Sequence, residues 1–202
     1  EHQAIQRIHN LFNTPGTISL GYNTLGFDDE FLRFSFFRNL LTPYTHQYAN
    51  QCGRLDIYPI TVMYYLFSNN TLKWPNKDQG ISMKLDDLNR ANKFTTGQAH
   101  NALVDVVATL ELARKLYNNK TMWDYVVGYF NKSEDLKRLN KLPNGISIAI
   151  DPKLGAKNNF QCLVAHIGQH QHYRNQSLWL RLDTIDFHQC SEDLIEQSFC
   201  LK

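Results

Sequence analysis

No apolar run in these 202 residues approaches the length of about eighteen that a membrane-crossing helix needs. The first residues, Glu1 through Asn10, hold neither a basic leader nor an apolar stretch, so no secretory signal is expected. Cysteine is scarce: Cys52, Cys162, Cys190 and Cys200 lie far apart, with no C-x-x-C pair. That spacing speaks against a disulfide framework or a zinc knuckle, and the thiols read as free in an intracellular, cytoplasmic protein. A surplus of one charge is lacking too, since 21 Lys and Arg against 19 Asp and Glu leave a formal net charge of +2. Such a balance permits nucleic-acid binding without announcing it, because an electrostatic footprint needs clustered bases. No repeat or low-complexity tract occurs. With 43% hydrophobic and 20% charged residues, the chain can bury a core, which excludes disorder.

What is present is a chain of periodic segments. Ala4, Ile5, Ile8, Leu11 and Phe12 recur at helical spacing and stop at Thr14-Pro15-Gly16, a turn signal. Thr17 to Tyr22 alternates like a short strand. Asp28-Asp29-Glu30 then opens a helix through Phe37, its acids suiting the positive end of the dipole. Asp56 is a plausible N-cap for a helix that tolerates Pro59 in its first turn and sends Ile60, Val62, Met63, Leu66 and Phe67 toward a core. Trp74-Pro75-Asn76 and Asp78-Gln79-Gly80 read as a loop. Leu85, Leu88 and Ala91 mark a short helix, and Ala102 to about Tyr117 predicts a long one. From Ile146 the pattern turns strand-like, with runs at 146–150, 160–165 and 178–182 separated by turn-rich spacers. Helices alternating with rare strands point to an α/β fold. The expected division is 1–118, a helical connector at 119–143, and a mostly β module at 144–202.

Three side chains stand out. Asp105 interrupts Leu103-Val104 and Val106-Val107-Ala108, and at helical spacing it shares a face with Thr109, Leu112 and Leu116, so that face should be at least half buried. A carboxylate there costs free energy unless a cation or several donors compensate. A metal ion would do so; a helix acid at a solvent-facing edge is the plain alternative. His100 precedes that helix. Five helical residues turn about 140° from the starting face, so His100 and Asp105 are no ligand pair on one helix. A histidine in the entering loop can project over the same site as a general base, or simply cap the helix. Asp28 follows a strand and opens a helix, where α/β folds place their sites, although a helix N-terminal acid needs no function. His166, His170 and His172 lie in a strand-and-turn region without cysteine at ligand spacing and read as loop histidines rather than a zinc site. Asp28-Asp29-Glu30 lacks the periodic oxygen ligands of a calcium loop.

Gly21-Tyr22-Asn23-Thr24-Leu25-Gly26-Phe27-Asp28-Asp29-Glu30 resembles the second exonuclease motif of the bacterial exodeoxyribonuclease I family, and Ala99-His100-Asn101-Ala102-Leu103-Val104-Asp105 resembles its third. Between them, Gly53-Arg54-Leu55-Asp56, Lys73-Trp74-Pro75-Asn76 and Lys84-Leu85-Asp86-Asp87-Leu88-Asn89-Arg90 match as well. The resemblance implies an α/β, ribonuclease-H-like exonuclease core followed by the start of an SH3-like, mostly β module. It implies a DEDD-type 3′–5′ exonuclease of the histidine variant, shortening single-stranded DNA in repair and recombination. Asp28 and Asp105 would be metal carboxylates of a two-magnesium site and His100 the general base. Aromatic side chains would stack bases and cations would track the backbone, with Arg54 and Lys84 as phosphate contacts; both equally read as solvated surface residues. Implied partners are single-stranded DNA and a single-stranded-DNA-binding protein.

The family's first motif, Asp-x-Glu, is expected upstream of Ile5 and does not occur there. The expectation is therefore little or no nuclease activity from this chain alone, with the first strands supplied by another chain or lost, and a strand at 17–22 that exposes pairing groups and an apolar face. Two other readings stay open: a non-catalytic remnant that binds single-stranded DNA or a repair partner, and a related enzyme that trims RNA.

Overall fold

The computed structural model describes residues 1–78, 80–96, 102–173 and 176–183. The chain forms two compact units, Glu1–Leu136 and Lys137–Lys202. Among the described residues the fold is mixed α/β with open sheets, and no helix is long and apolar enough to cross a membrane.

In the first unit, α1 (His2–Phe12) is the helix that the 4–12 spacing predicts. The turn after it uses Gly16 at φ +80°, a conformation glycine enters without a Cβ clash. Strand β1 (Ile18–Gly21), helix α2 (Asp28–Arg38) and strand β2 (Gly53–Asp56) follow. The two strands are parallel, Ile18 facing Gly53 and Gly21 facing Asp56, with α2 in the connection that a parallel pair requires. Sequence periodicity gives no hint of β2. Gly-Arg-Leu-Asp has no β-branched or aromatic residue, and the strand forms because β1 offers its backbone while Leu55 drops into the core.

That core lies among β2, α3 (Ile57–Phe67), α5 (Ala102–Tyr117) and α6 (Lys120–Val127), where Ile57, Ile60, Tyr64, Leu112, Leu116 and Val126 are buried together. Helix α5 has the bounds its pattern predicts. The Tyr64 hydroxyl donates to the Leu116 carbonyl at 2.7 Å and the Asn119 carbonyl at 3.1 Å, tying α3 to the end of α5. Burial pushes its phenol up to about 12. Phe67, expected in this core, is instead 61% exposed, being the last residue of α3, past the turn that packs on α5. The 74–80 segment, expected as a loop, closes into a two-residue hairpin, β3 (Asn76–Lys77) with β4 (Gly80–Ile81), before α4 (Leu85–Asn92). Helix α6, expected within a connector, sets Met122, Trp123 and Val126 against the first unit's core. Helix α7 (Lys132–Leu139) follows it.

The second unit carries β5 (Ile146–Ile150), β6 (Gln161–Gln169) and β7 (Ser177–Arg181) as one antiparallel sheet in the order β5-β6-β7. Phe160, Cys162 and Val164 are buried. A bulge between His166 and Gly168 shifts the β6–β7 register, and Gly168 takes the φ of +153° that the irregularity needs. Cys52 and Cys162 are free thiols; Cys190 and Cys200 lie outside the described residues.

Candidate functional site

The loop between β1 and α2 is held by one carboxylate. Asp56, 2% exposed, caps α3 by accepting from the Tyr58 N–H at 2.9 Å. It also accepts the N–H groups of Asn23 at 2.8 Å, Thr24 at 2.9 Å and Leu25 at 3.3 Å. The residue expected as a helix cap thus also gathers the loop backbone against the end of β2. The tight path leaves no room for a side chain at Gly21, where a Cβ would run into the Thr24 methyl. Tyr22, stacked on Tyr58 at 5.1 Å, sends its hydroxyl to the Met83 carbonyl. Burial, then the charges of Tyr58 and Asp56, hold that phenol well above its ordinary range.

This loop delivers Asp28 to the start of α2. The three acids there meet different fates, because each helical residue turns about 100° from the last. Asp29 points inward, is buried, and pairs with Arg54 of β2. Glu30 pairs with Arg33 one turn on, at 3.1 Å. Asp28 is exposed and, among the described residues, takes no ion pair. Along the same helix Phe27, Phe31, Phe34 and Phe37 are all exposed, three or four residues apart, the first two parallel within 17° at 6.1 Å.

Asp105 sits in the first turn of α5, partly buried, on the face it shares with buried Thr109, Leu112 and Leu116. The Thr109 hydroxyl bonds back to the Asp105 carbonyl at 2.8 Å. Asp105 lies eleven residues before Leu116, hence about 16 Å back along α5 from the Tyr64 anchor. His100 lies outside the described residues.

The two candidate phosphate contacts differ. Arg54 is committed to Asp29 and its side chain is 38% exposed. Burial lowers its guanidinium against the opposing pull of Asp56. Lys84 is exposed at the N-cap of α4. The hairpin before it is pinned by Asp87, a buried carboxylate overlooked in the sequence, which accepts from Lys77 Nζ and the Ser82 hydroxyl, both at 2.5 Å. Those two bonds hold the Asp87 carboxyl below its ordinary range. Its only sequence signal is an acid at helix position three flanked by Lys and Ser upstream.

Among the described residues no group of three or more His, Cys, Asp or Glu side chains could hold a metal ion. His166 packs on Trp179 at 4.9 Å, and His170 Nδ1 accepts the N–H groups of His172 and Tyr173 at 3.1 Å, closing a turn.

No protein-family model matches the chain. Over most of its length it closely resembles bacterial exonuclease I. Exodeoxyribonuclease I of Escherichia coli (strain K12) is 30% identical over 178 residues, 87% of this chain and 38% of that protein. An apo exonuclease I structure superposes with a TM-score of 0.86 at 27% identity, covering 97% of this chain and 44% of that one. A zinc-ion-bound E. coli exonuclease I–single-stranded DNA complex does so with 0.82 at 28% identity, over 89% and 38% of the two chains. The chain spans less than half the length of these relatives.

Proposed function

From this resemblance we propose that the chain carries the second and third acidic motifs of a 3′–5′ exonuclease that hydrolyses single-stranded DNA in repair. The carrying observation is Asp28: of three consecutive acids it alone is left without an arginine or lysine, at the mouth of a loop fixed by four bonds to Asp56. In this reading Asp28 and Asp105 are metal carboxylates and His100 is the general base. Residues 1–118 form a ribonuclease-H-like core, 119–143 a connector and 144–202 an SH3-like module. Magnesium ions, when bound, would supply an activated water and a stabilised leaving oxygen. Two carboxylates do not make a two-ion cage, so the described residues do not by themselves fit that pair of ions.

What the chain's own residues would do is orient and bind. The Asp56 clamp fixes where Asp28 stands relative to the sheet. Exposed Phe27 and Phe31 offer flat faces on which bases stack without regard to sequence, and Lys84 offers a phosphate contact. Single-stranded DNA is the proposed substrate and a single-stranded-DNA-binding protein the proposed partner.

The test is binding and digestion of oligonucleotides labelled at either end, with magnesium, as single-stranded DNA, duplex DNA and RNA. The reading expects single-stranded DNA to bind best and nucleotides to leave from the 3′ label only, with release lost in Asp28→Ala and Asp105→Ala. Digestion that survives Asp105→Ala, or a preference for RNA, would overturn it. Binding without release assigns the chain to the second reading, a single-strand-binding element without catalysis.

A further inference from the structure

β1 and β2 form a two-stranded sheet among the described residues. Parallel sheets normally lie buried within several strands, because each pair alone is marginal. The edge of β2 is not open: the turn at Thr45–Gln47 packs beside it, and its Leu55 and Asp56 are buried. The edge of β1 is different. The Gly53 N–H donates to the Thr17 carbonyl at 3.0 Å, which sets the phase of the ladder. In a parallel pair alternate residues bond to the same neighbour. Ser19 and Gly21 therefore turn their backbone groups toward β2, and Ile18 and Leu20 turn their N–H and C=O groups the opposite way. Those same two residues hold their side chains 60% and 40% exposed. An outward row of donors and acceptors flanked by apolar side chains is a template that only an extended backbone satisfies.

We propose that β1 takes up one further β-strand along this edge, donated by polypeptide outside residues 1–202 and apolar at alternate positions. A second copy of the chain is the poorer occupant. β1 is four residues long, so two copies pairing about a two-fold axis would bury far less than the roughly 1,200 Å² of a stable interface. The E. coli relative, by contrast, has 62% of its length outside the matched stretch, since 38% is covered. The inference concerns the sheet and holds whether or not the chain is a nuclease.

Amide exchange followed by NMR tests it on the 202-residue protein. Alone, Ile18 and Leu20 should exchange about 100-fold faster than Ser19 and Gly21. The two parts of E. coli exodeoxyribonuclease I that flank the matched 178 residues are then added as separate polypeptides. One of them should slow Ile18 and Leu20 by about tenfold or more. Ile18→Pro removes a donor and should abolish the slowing. Because proline can unfold β1 itself, Leu20→Lys, which keeps its N–H but charges the apolar face, is the second variant and should also lose it with helical circular dichroism unchanged. Slowing by neither flank, slowing that persists in both variants, or protection that rises with protein concentration without any added flank would each overturn the proposal.

Discussion

Asp56→Ala removes the acceptor that four backbone N–H groups share. A buried donor left without a partner costs about 1–3 kcal/mol, and a lost N-cap about 1. The four are not equal. Asn23 and Leu25 are exposed, so water replaces the carboxylate there at little cost, whereas Thr24 and Tyr58 are partly buried and feel most of the loss. The expected total is about 2–4 kcal/mol, a large share of the roughly 5–15 kcal/mol that holds a domain folded. Asp56→Asn keeps one oxygen for two of the donors and sets an amide against the others, so it should cost about half as much. Urea titration followed by circular dichroism gives the global number, and amide exchange at residues 23–25 gives the local one. A cost below about 1 kcal/mol, or loop amides whose exchange is unchanged, would show that the loop stands without its clamp and that the position of Asp28 is set elsewhere.

Asp87 supplies the pH prediction. Its carboxyl is held low mainly by the bonds from Lys77 and Ser82, so the folded state binds its proton less readily than the unfolded chain does. The stabilisation is complete above about pH 3.9, the ordinary carboxylate value, and is lost as pH falls through the lower folded value. Urea midpoints between about pH 5 and pH 2.5 should therefore drop more steeply for the native protein than for Asp87→Asn; parallel curves would refute this. Tyr64→Phe strips a buried hydroxyl from two carbonyls and should lower stability by about 1–2 kcal/mol in the same titration. A neutral result would mean that Asn119 and the end of α5 do not depend on that bond.

Legibility followed the range of the interaction. α5 was readable to the residue because sixteen positions of apolar periodicity outvote any local exception, and the burial around Asp105 followed from the same wheel. The turn at Gly16 was readable because a positive φ selects glycine. β2 was not, since a four-residue strand with Gly, Arg and Asp exists only through its neighbour. The 76–81 hairpin was read as loop for a like reason: its register depends on Asp87, ten residues beyond Lys77. Arg54 could be named as a cation but not as one already spent on Asp29. Nor could spacing tell which of Asp28, Asp29 and Glu30 is left outward, because that depends on where the arginines fall in space.

The free edge and the candidate site meet at one end of β1. Gly21, the last residue of that strand, is opposite Asp56, whose carboxylate gathers residues 23–25 on the way to Asp28. Neighbouring strands run about 4.8 Å apart, so a strand seated on Ile18 and Leu20 would bring the side chains at one of its ends within about one strand spacing of that loop. Seating it would cover the apolar face of β1 and add its own terminal groups beside an acid that has no cation. The chemistry of the hollow around Asp28 is thus set jointly by the clamp, which belongs to this chain, and by the strand, which the chain does not contain.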